Sequence, residues 1–288
     1  MERGVSLTYM AWLQRSPVLI VLAAAPIVAF LIGVSAAAAA LGLSPSGSVV
    51  PLVAAAGALA IYVAYVRWVE RRPIHELSSP GAAAELGRGA ALGALLFAAT
   101  IAVLWALGAA EIARGNGSEV GFALAGAISA AVVEEILFRA ILFRLVERSL
   151  GTWLALALSA ALFGAIHAFN HGATVVSTIA IALEAGVLLA AAFATTRRLW
   201  LPFGLHAAWN FTEGGVFGAR VSGGARDGLL ASRFEGTPWI TGGEFGPEAS
   251  ILAIAICLTA GIALLIAARR RGQFLPPWWR RAPGLRQL

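Results

Sequence analysis

"AVVEEILFRA", residues 131–140, puts two adjacent glutamates and an arginine behind a run that is almost wholly apolar for more than a dozen residues. The apolar run containing it, 120–147, is long enough to cross a hydrocarbon core of about 30 Å as a helix. Charge at the centre of such a span costs about 2.5 to 3.5 kcal/mol per residue, so Glu134, Glu135 and Arg139 need partners or a function. Glu135 and Arg139 are four apart and share one helical face, where an ion pair can form. Glu134 points about 100° away from Glu135, which leaves it outside that pair and available as a general base. A purely structural interhelical ion-pair network is the competing reading of all three.

The rest of the chain repeats this apolar pattern. Of 288 residues, 59% are hydrophobic and 12% charged, against about 25% charged in soluble domains. Runs at 17–41, 49–66, 89–110, 120–147, 152–169, 174–194, 199–217 and 249–268 follow one another with short connections. Continuous apolar runs without strict alternation select helices over a barrel. The expected fold is therefore all-α, a polytopic membrane bundle of about eight transmembrane helices. It forms one membrane domain over 17–268, with a tail at 1–16 and a basic tail at 269–288.

Every basic residue is Arg, and most of them flank apolar runs. Orientation in a membrane explains a pI near 10.8 better than nucleic-acid binding does. With eight spans, Arg67, Arg71, Arg72, Arg88, Arg144, Arg148, Arg197, Arg198 and Arg269 to Arg271 fall on one side, together with Arg3 and Arg15. The positive-inside rule places that side, and both termini, in the cytoplasm. No signal-peptide cleavage site is read after the first apolar run. Cys257 is the single cysteine, so no intramolecular disulfide forms. The Arg-only, Ala-rich composition suggests a bacterium with GC-rich DNA. The Trp- and Arg-bearing C-terminus "FLPPWWRRAPGLRQL" suits an inner-leaflet surface.

Two further stretches carry polar groups at membrane depth. "FGAIHAFNHG" sets Phe163 and His167 four apart, and "HAAWNF" does the same for His206 and Asn210 in another span. Either histidine alone could be a packing hydrogen bonder. Together with Glu134 they supply groups that activate a water and hold a developing oxyanion. At 1.5 Å per residue, His167 lies about 24 Å from the start of its span and His206 about 10 Å from the start of its own. His171, near a helix end, and His75, in a connection, are given no catalytic role. Glu184 sits in a span without an obvious partner and is read as a structural hydrogen bonder. The Gly-rich 218–248 connection, with Glu244 and, in the last position, Glu248, is either a mobile loop or a lid over the substrate. HExxH, GxSxG, P-loop and clustered-cysteine patterns are absent, and the two N-x-S/T matches are read as accidental.

"EEILFR", "FGAIH" and "HAAWN", in that order on successive polar-bearing helices, resemble the EExxxR, FxxxH and HxxxN motifs of the CPBP family. That family comprises CAAX-prenyl endopeptidases of the Ras-converting type, bacteriocin-processing proteins and Abi-type membrane proteins. "RRPIHEL" and "GGEFGPEAS" resemble its bacterial members more loosely. The resemblance implies an intramembrane glutamic endopeptidase acting on a membrane-associated peptide or protein, without a metal or other cofactor. It makes Glu134 the general base, has His167 position the water, and assigns His206 and Asn210 to the oxyanion hole. Glu135, Arg139 and Phe163 support these groups. Two other readings stay open: a catalytic zinc held by Glu134, His167 and His206, and a catalytically silent membrane regulator or immunity-type binding protein. With no internal repeat in view, a transporter is the weakest reading.

Overall fold

The computed structural model describes residues 2–43 and 47–281, with side chains from residue 17 onward. All eight apolar runs fold as helices: α1 Glu2–Ala40, α2 Val49–Glu70, α3 Ala82–Ala106, α4 Val120–Leu150, α5 Thr152–His167, α6 Val175–Thr196, α7 Trp200–Asn210 and α8 Ile251–Arg270. A π-helical turn, Phe211–Val216, extends α7. The architecture is an all-α membrane bundle. Six of the helices are long and apolar enough to cross a membrane, α5 is a shorter apolar helix, and α7 with its π turn is also short.

The connections alternate between two ends of the bundle. At one end the α2–α3, α4–α5 and α6–α7 connections meet the segment after α8. Arg144 on α4 pairs with Glu70 at 2.7 Å and with Glu76 at 3.3 Å, and Arg72 pairs with Glu76 at 2.9 Å. Arg198 pairs with Glu85 at 3.1 Å and donates to the Pro80 carbonyl. Arg197 pairs with Glu147 and reaches the Gln273 carbonyl. At the opposite end the α3–α4 and α7–α8 connections form a two-stranded antiparallel sheet. Its strands are β1 Ala110–Arg114 and β2 Leu230–Phe234, with Ala110 opposite Phe234. The α5–α6 connection joins this end as well: Gly223, at φ +83°, passes so close to the His171 carbonyl that any side chain would collide with it.

Several boundaries differ from those read in the sequence. The helix expected at 89–110 begins seven residues earlier, because Glu85 and Arg88 belong to its first turns and Glu85 is neutralised by Arg198. It ends at Ala106, with Gly108 at φ +69° turning the chain toward β1. The tail expected at 1–16 is helical from Glu2 and continuous with the first span. The basic tail folds back on the bundle as far as Arg281, where Leu275 and Thr152 exchange two hydrogen bonds and Arg281 donates to the Glu147 carbonyl. Residues 282–288 of that tail lie outside the described residues.

Inside lipid there is little hydrophobic drive between helices, so small residues that allow close packing dominate interfaces. Helices α3 and α7 are the clearest case. A β-carbon at Gly89 would lie 2.2 Å from the Leu201 carbonyl oxygen, one at Gly93 2.1 Å from that of Leu205, and one at Gly204 2.1 Å from that of Leu86. Phe97 then packs edge-on against Trp209, with centroids 5.1 Å apart. This contact fixes the α7 face that carries His206 and Asn210.

Candidate active site

The first motif lies where α4 changes its winding. Ile136–Phe143 is π-helical, with backbone bonds running to the fifth rather than the fourth residue. Glu135 and Arg139 still pair, at 3.0 Å, and both are completely buried. Arg139 also donates to the carbonyls of Ala185 and Gly186, at 3.3 and 3.2 Å. Those carbonyls belong to a second π-helical turn, Ala182–Gly186, within α6. The guanidinium carbon lies 4.6 Å from the centre of the Phe163 ring, a cation–π contact. One arginine thus ties α4 to both α5 and α6.

His206 enters the same cluster from α7. Its Nδ1 lies 3.0 Å from Glu135 Oε1, the oxygen that Arg139 also uses. A carboxylate oxygen accepts, so Nδ1 carries a hydrogen and Nε2 faces the other way. Nε2 is 3.9 Å from Glu134 Oε2, too far for a direct hydrogen bond and close enough for charge attraction. Glu134 keeps 22% of its side-chain surface exposed, against none for Glu135, and its Oε2 has no hydrogen-bond partner. The neighbouring glutamates therefore differ in setting: Glu135 is braced, Glu134 is open.

His167 is the last residue of α5. Its Nδ1 donates to the Phe163 carbonyl at 2.7 Å, which leaves Nε2 as the free ring nitrogen. The Phe163 and His167 rings pack at a tilt of 37°, with centroids 4.7 Å apart. Glu134, His167, His206 and Asn210 all line one cavity of about 140 Å³, along with Phe163, Trp209 and Leu205. Glu135 and Arg139 lie behind it. Both histidines reach this cavity despite the difference in depth expected from their spans.

Four further polar residues line this cavity. Glu184, read as a structural hydrogen bonder, stands in the α6 π turn and faces the cavity. Asn170 follows α5, and Ser222 and Glu248 come from the 218–248 connection. The Ser222 backbone N–H and hydroxyl donate to Glu248 Oε1 at 2.9 and 2.8 Å. Burial pushes the Glu248 carboxyl above its ordinary range, against the lowering by the hydrogen bonds it accepts from Ser222. The signals available were the isolated charges in apolar surroundings, at Glu184 and just before the last span. His171 and His75 are not among the residues lining the cavity. Among the described residues, no group of three or more His, Cys, Asp or Glu is arranged to hold a metal ion.

The α4-to-α7 segment also carries the likeness to a known family. Residues 116–212 match the CAAX protease family. The matching family model is described as Rce1-like, type II CAAX prenyl endopeptidase, and it covers about a third of the chain, including all three motifs. No curated protein and no solved structure matches. The six membrane-length helices fit a multi-pass membrane protein, and residues 116–212 are similar to type II CAAX prenyl endopeptidases.

Proposed function

We propose that the protein is a metal-independent glutamic endopeptidase that hydrolyses a peptide bond of a membrane-associated protein or peptide. The observation carrying this is the convergence of Glu134, His167, His206 and Asn210, from three separate motifs, on one cavity. Glu134 takes a proton from a water held with His167 Nε2, and the water oxygen attacks the carbonyl carbon. The developing oxyanion is held by the Asn210 amide and by His206, whose Nδ1 is 3.0 Å from Glu135 and whose Nε2 is 3.9 Å from Glu134. When the C–N bond breaks, Glu134 returns its proton to the departing nitrogen. Glu135 and Arg139 orient the first motif, and Phe163 supports both Arg139 and His167. The alternative, a zinc held by Glu134, His167 and His206, is tested by metal analysis and chelator sensitivity.

We assign residues 17–268 to one membrane domain with a basic tail beyond it. The arginine-rich end, with both termini, belongs in the cytoplasm of a bacterial cell membrane by the positive-inside rule. The test is terminal proteomics on membranes from deletion cells expressing wild type or Glu134→Gln. New peptide ends that require Glu134 support the reading. Cleavage by the purified variant at the wild-type rate would rule it out.

A further inference from the structure

The cavity presents a second set of acids for which the hydrolysis has no use. Glu184, Glu213 and Glu248 are 2%, 0% and 4% exposed. They come from the α6 π turn, the π turn that ends α7, and the Pro247–Ala249 turn ahead of α8. Glu184 and Glu248 line the cavity, and Glu213 lies beside Glu248. Carboxyl groups buried without a countercharge are costly and are kept where they do something. Here the cost is multiplied threefold within one small region.

Charge accounting separates this cluster from a balanced structural network. Around the cavity stand five carboxyl groups: Glu134, Glu135, Glu184, Glu213 and Glu248. Against them are one guanidinium, on Arg139, and the rings of His167 and His206. Arg139 and His206 are already engaged by Glu135. Arg220 and Arg226, in the nearby connection, donate to the Gly223 and Ala225 carbonyls, and among the described residues neither forms an ion pair with these acids. Independently of that balance, Glu184 Oε2 is buried, belongs to a side chain facing the cavity, and has no hydrogen-bond partner. The Cys257 thiol and the Ala185 N–H already serve this carboxyl, and Oε2 stays open to a further donor. An ammonium or guanidinium brings both the missing positive charge and several N–H donors.

We propose that Glu184 and Glu248 form a subsite for a cationic side chain, lysine or arginine, carried by the substrate close to the bond that is cut. This deepens the protease reading of the same cavity and rests on it for the identity of the ligand as substrate. Ser222 holds Glu248 in place, so that the subsite is shaped by the connection before α8 while the hydrolytic groups come from α4, α5 and α7. Substrates are then selected by a charge that sits inside the membrane domain, where an uncharged residue of equal length leaves the acids unpaired.

The test measures binding separately from cleavage. Nanodisc-embedded protein is titrated with Nα-acetyl-lysine methylamide and with its norleucine counterpart, followed by ligand-observed NMR. Wild type is expected to prefer the lysine probe by at least about tenfold, the scale of a charge-assisted contact. Glu184→Gln should reduce the preference below about threefold while norleucine binding and thermal stability hold, which separates lost recognition from lost folding. Absence of a lysine preference in wild type, including no binding of either probe, overturns the subsite and means that protons alone satisfy the acids. An unchanged preference in a folded Glu184→Gln variant overturns it too. The terminal proteomics provides an independent arm: Glu134-dependent ends without lysine or arginine within about three residues overturn the subsite and leave the protease standing. A lysine preference without Glu134-dependent ends does the reverse, leaving a cation-binding cavity and removing the protease.

Discussion

Replacing Arg139 with methionine removes the only counterion that bonds Glu135 from its own helix, and the geometry gives the size of the effect. The two groups are 3.0 Å apart and completely buried. At that separation their attraction is about 5 kcal/mol for an effective dielectric near 20, before desolvation is subtracted. Methionine fills much of the arginine's volume but leaves Glu135 charged, and it leaves the Ala185 and Gly186 carbonyls without their donor. Removing one partner of a buried pair costs about 3 to 5 kcal/mol. Glu135 keeps the His206 bond, which places the expected loss near the lower end, about 3 kcal/mol. The companion change Glu135→Gln retains an acceptor for His206 without the charge. The double variant should therefore come within about 1.5 kcal/mol of wild type, as apolar replacements of whole buried pairs do. Reversible unfolding in mixed detergent, followed by tryptophan fluorescence, measures all four corners of the cycle. A coupling below about 1 kcal/mol would refute the reading that Glu135 and Arg139 brace each other as a buried pair.

Other perturbations test other links. Gly93→Ala forces a β-carbon toward the Leu205 carbonyl and the Trp209 nitrogen, so it should cost roughly 1 to 3 kcal/mol and slow cleavage by displacing His206; unaltered unfolding would contradict the close α3–α7 approach. Because Glu248 binds its proton more tightly folded than unfolded, its contribution to stability is fully present below the unfolded carboxyl range. It fades as pH rises through the raised folded value, and Glu248→Gln should flatten that decline in unfolding curves taken from pH 4 to 8. Extensive dialysis against a chelator should leave cleavage of any substrate found by terminal proteomics unchanged. A loss restored by zinc would return the metal reading. Glu134→Gln should abolish that cleavage with the fold retained, as near-wild-type unfolding would demonstrate.

The apolar runs disclosed the eight helices because membrane-length hydrophobicity is a strong signal that tolerates error at its ends. Its weakness shows at α3, where Glu85 and Arg88 looked like a connection; both are helical, and Glu85 finds its countercharge in Arg198, more than a hundred residues later. The motifs disclosed the four cavity residues from α4, α5 and α7, since spacing on a helix is local. They could not disclose the π turns, because apolar residues in a buried helix satisfy either winding equally well. Nor could they pair β1 with β2, whose register depends on where two remote connections meet. Ser222 escaped notice for the same reason. Its role comes from Glu248 across a Gly-rich segment whose folding is set by backbone contacts such as Gly223 N–H to the Phe245 carbonyl at 2.6 Å.

The π turns explain how so many polar groups are tolerated at this depth. A shift from fourth- to fifth-residue bonding changes which carbonyls are available to outside donors, and in α6 the Ala185 and Gly186 carbonyls accept from Arg139. That satisfies much of the guanidinium without spending a second carboxylate on it. Glu134, the other acid of the first motif, consequently remains outside the brace, partly exposed and facing the cavity. The same winding change brings Glu184 to the cavity from the middle of an apolar helix and follows directly after Asn210 in α7. An Arg139→Lys variant distinguishes this arrangement from a generic ion pair. Lysine keeps the charge and can still reach Glu135, but its compact ammonium cannot span both carbonyls and lie flat over Phe163. It should retain part of the stability and lose most of the site's order, with cleavage falling further than unfolding free energy predicts. Equal activity in the Arg139→Lys variant and wild type would show that charge alone suffices and that the π-turn carbonyls are incidental.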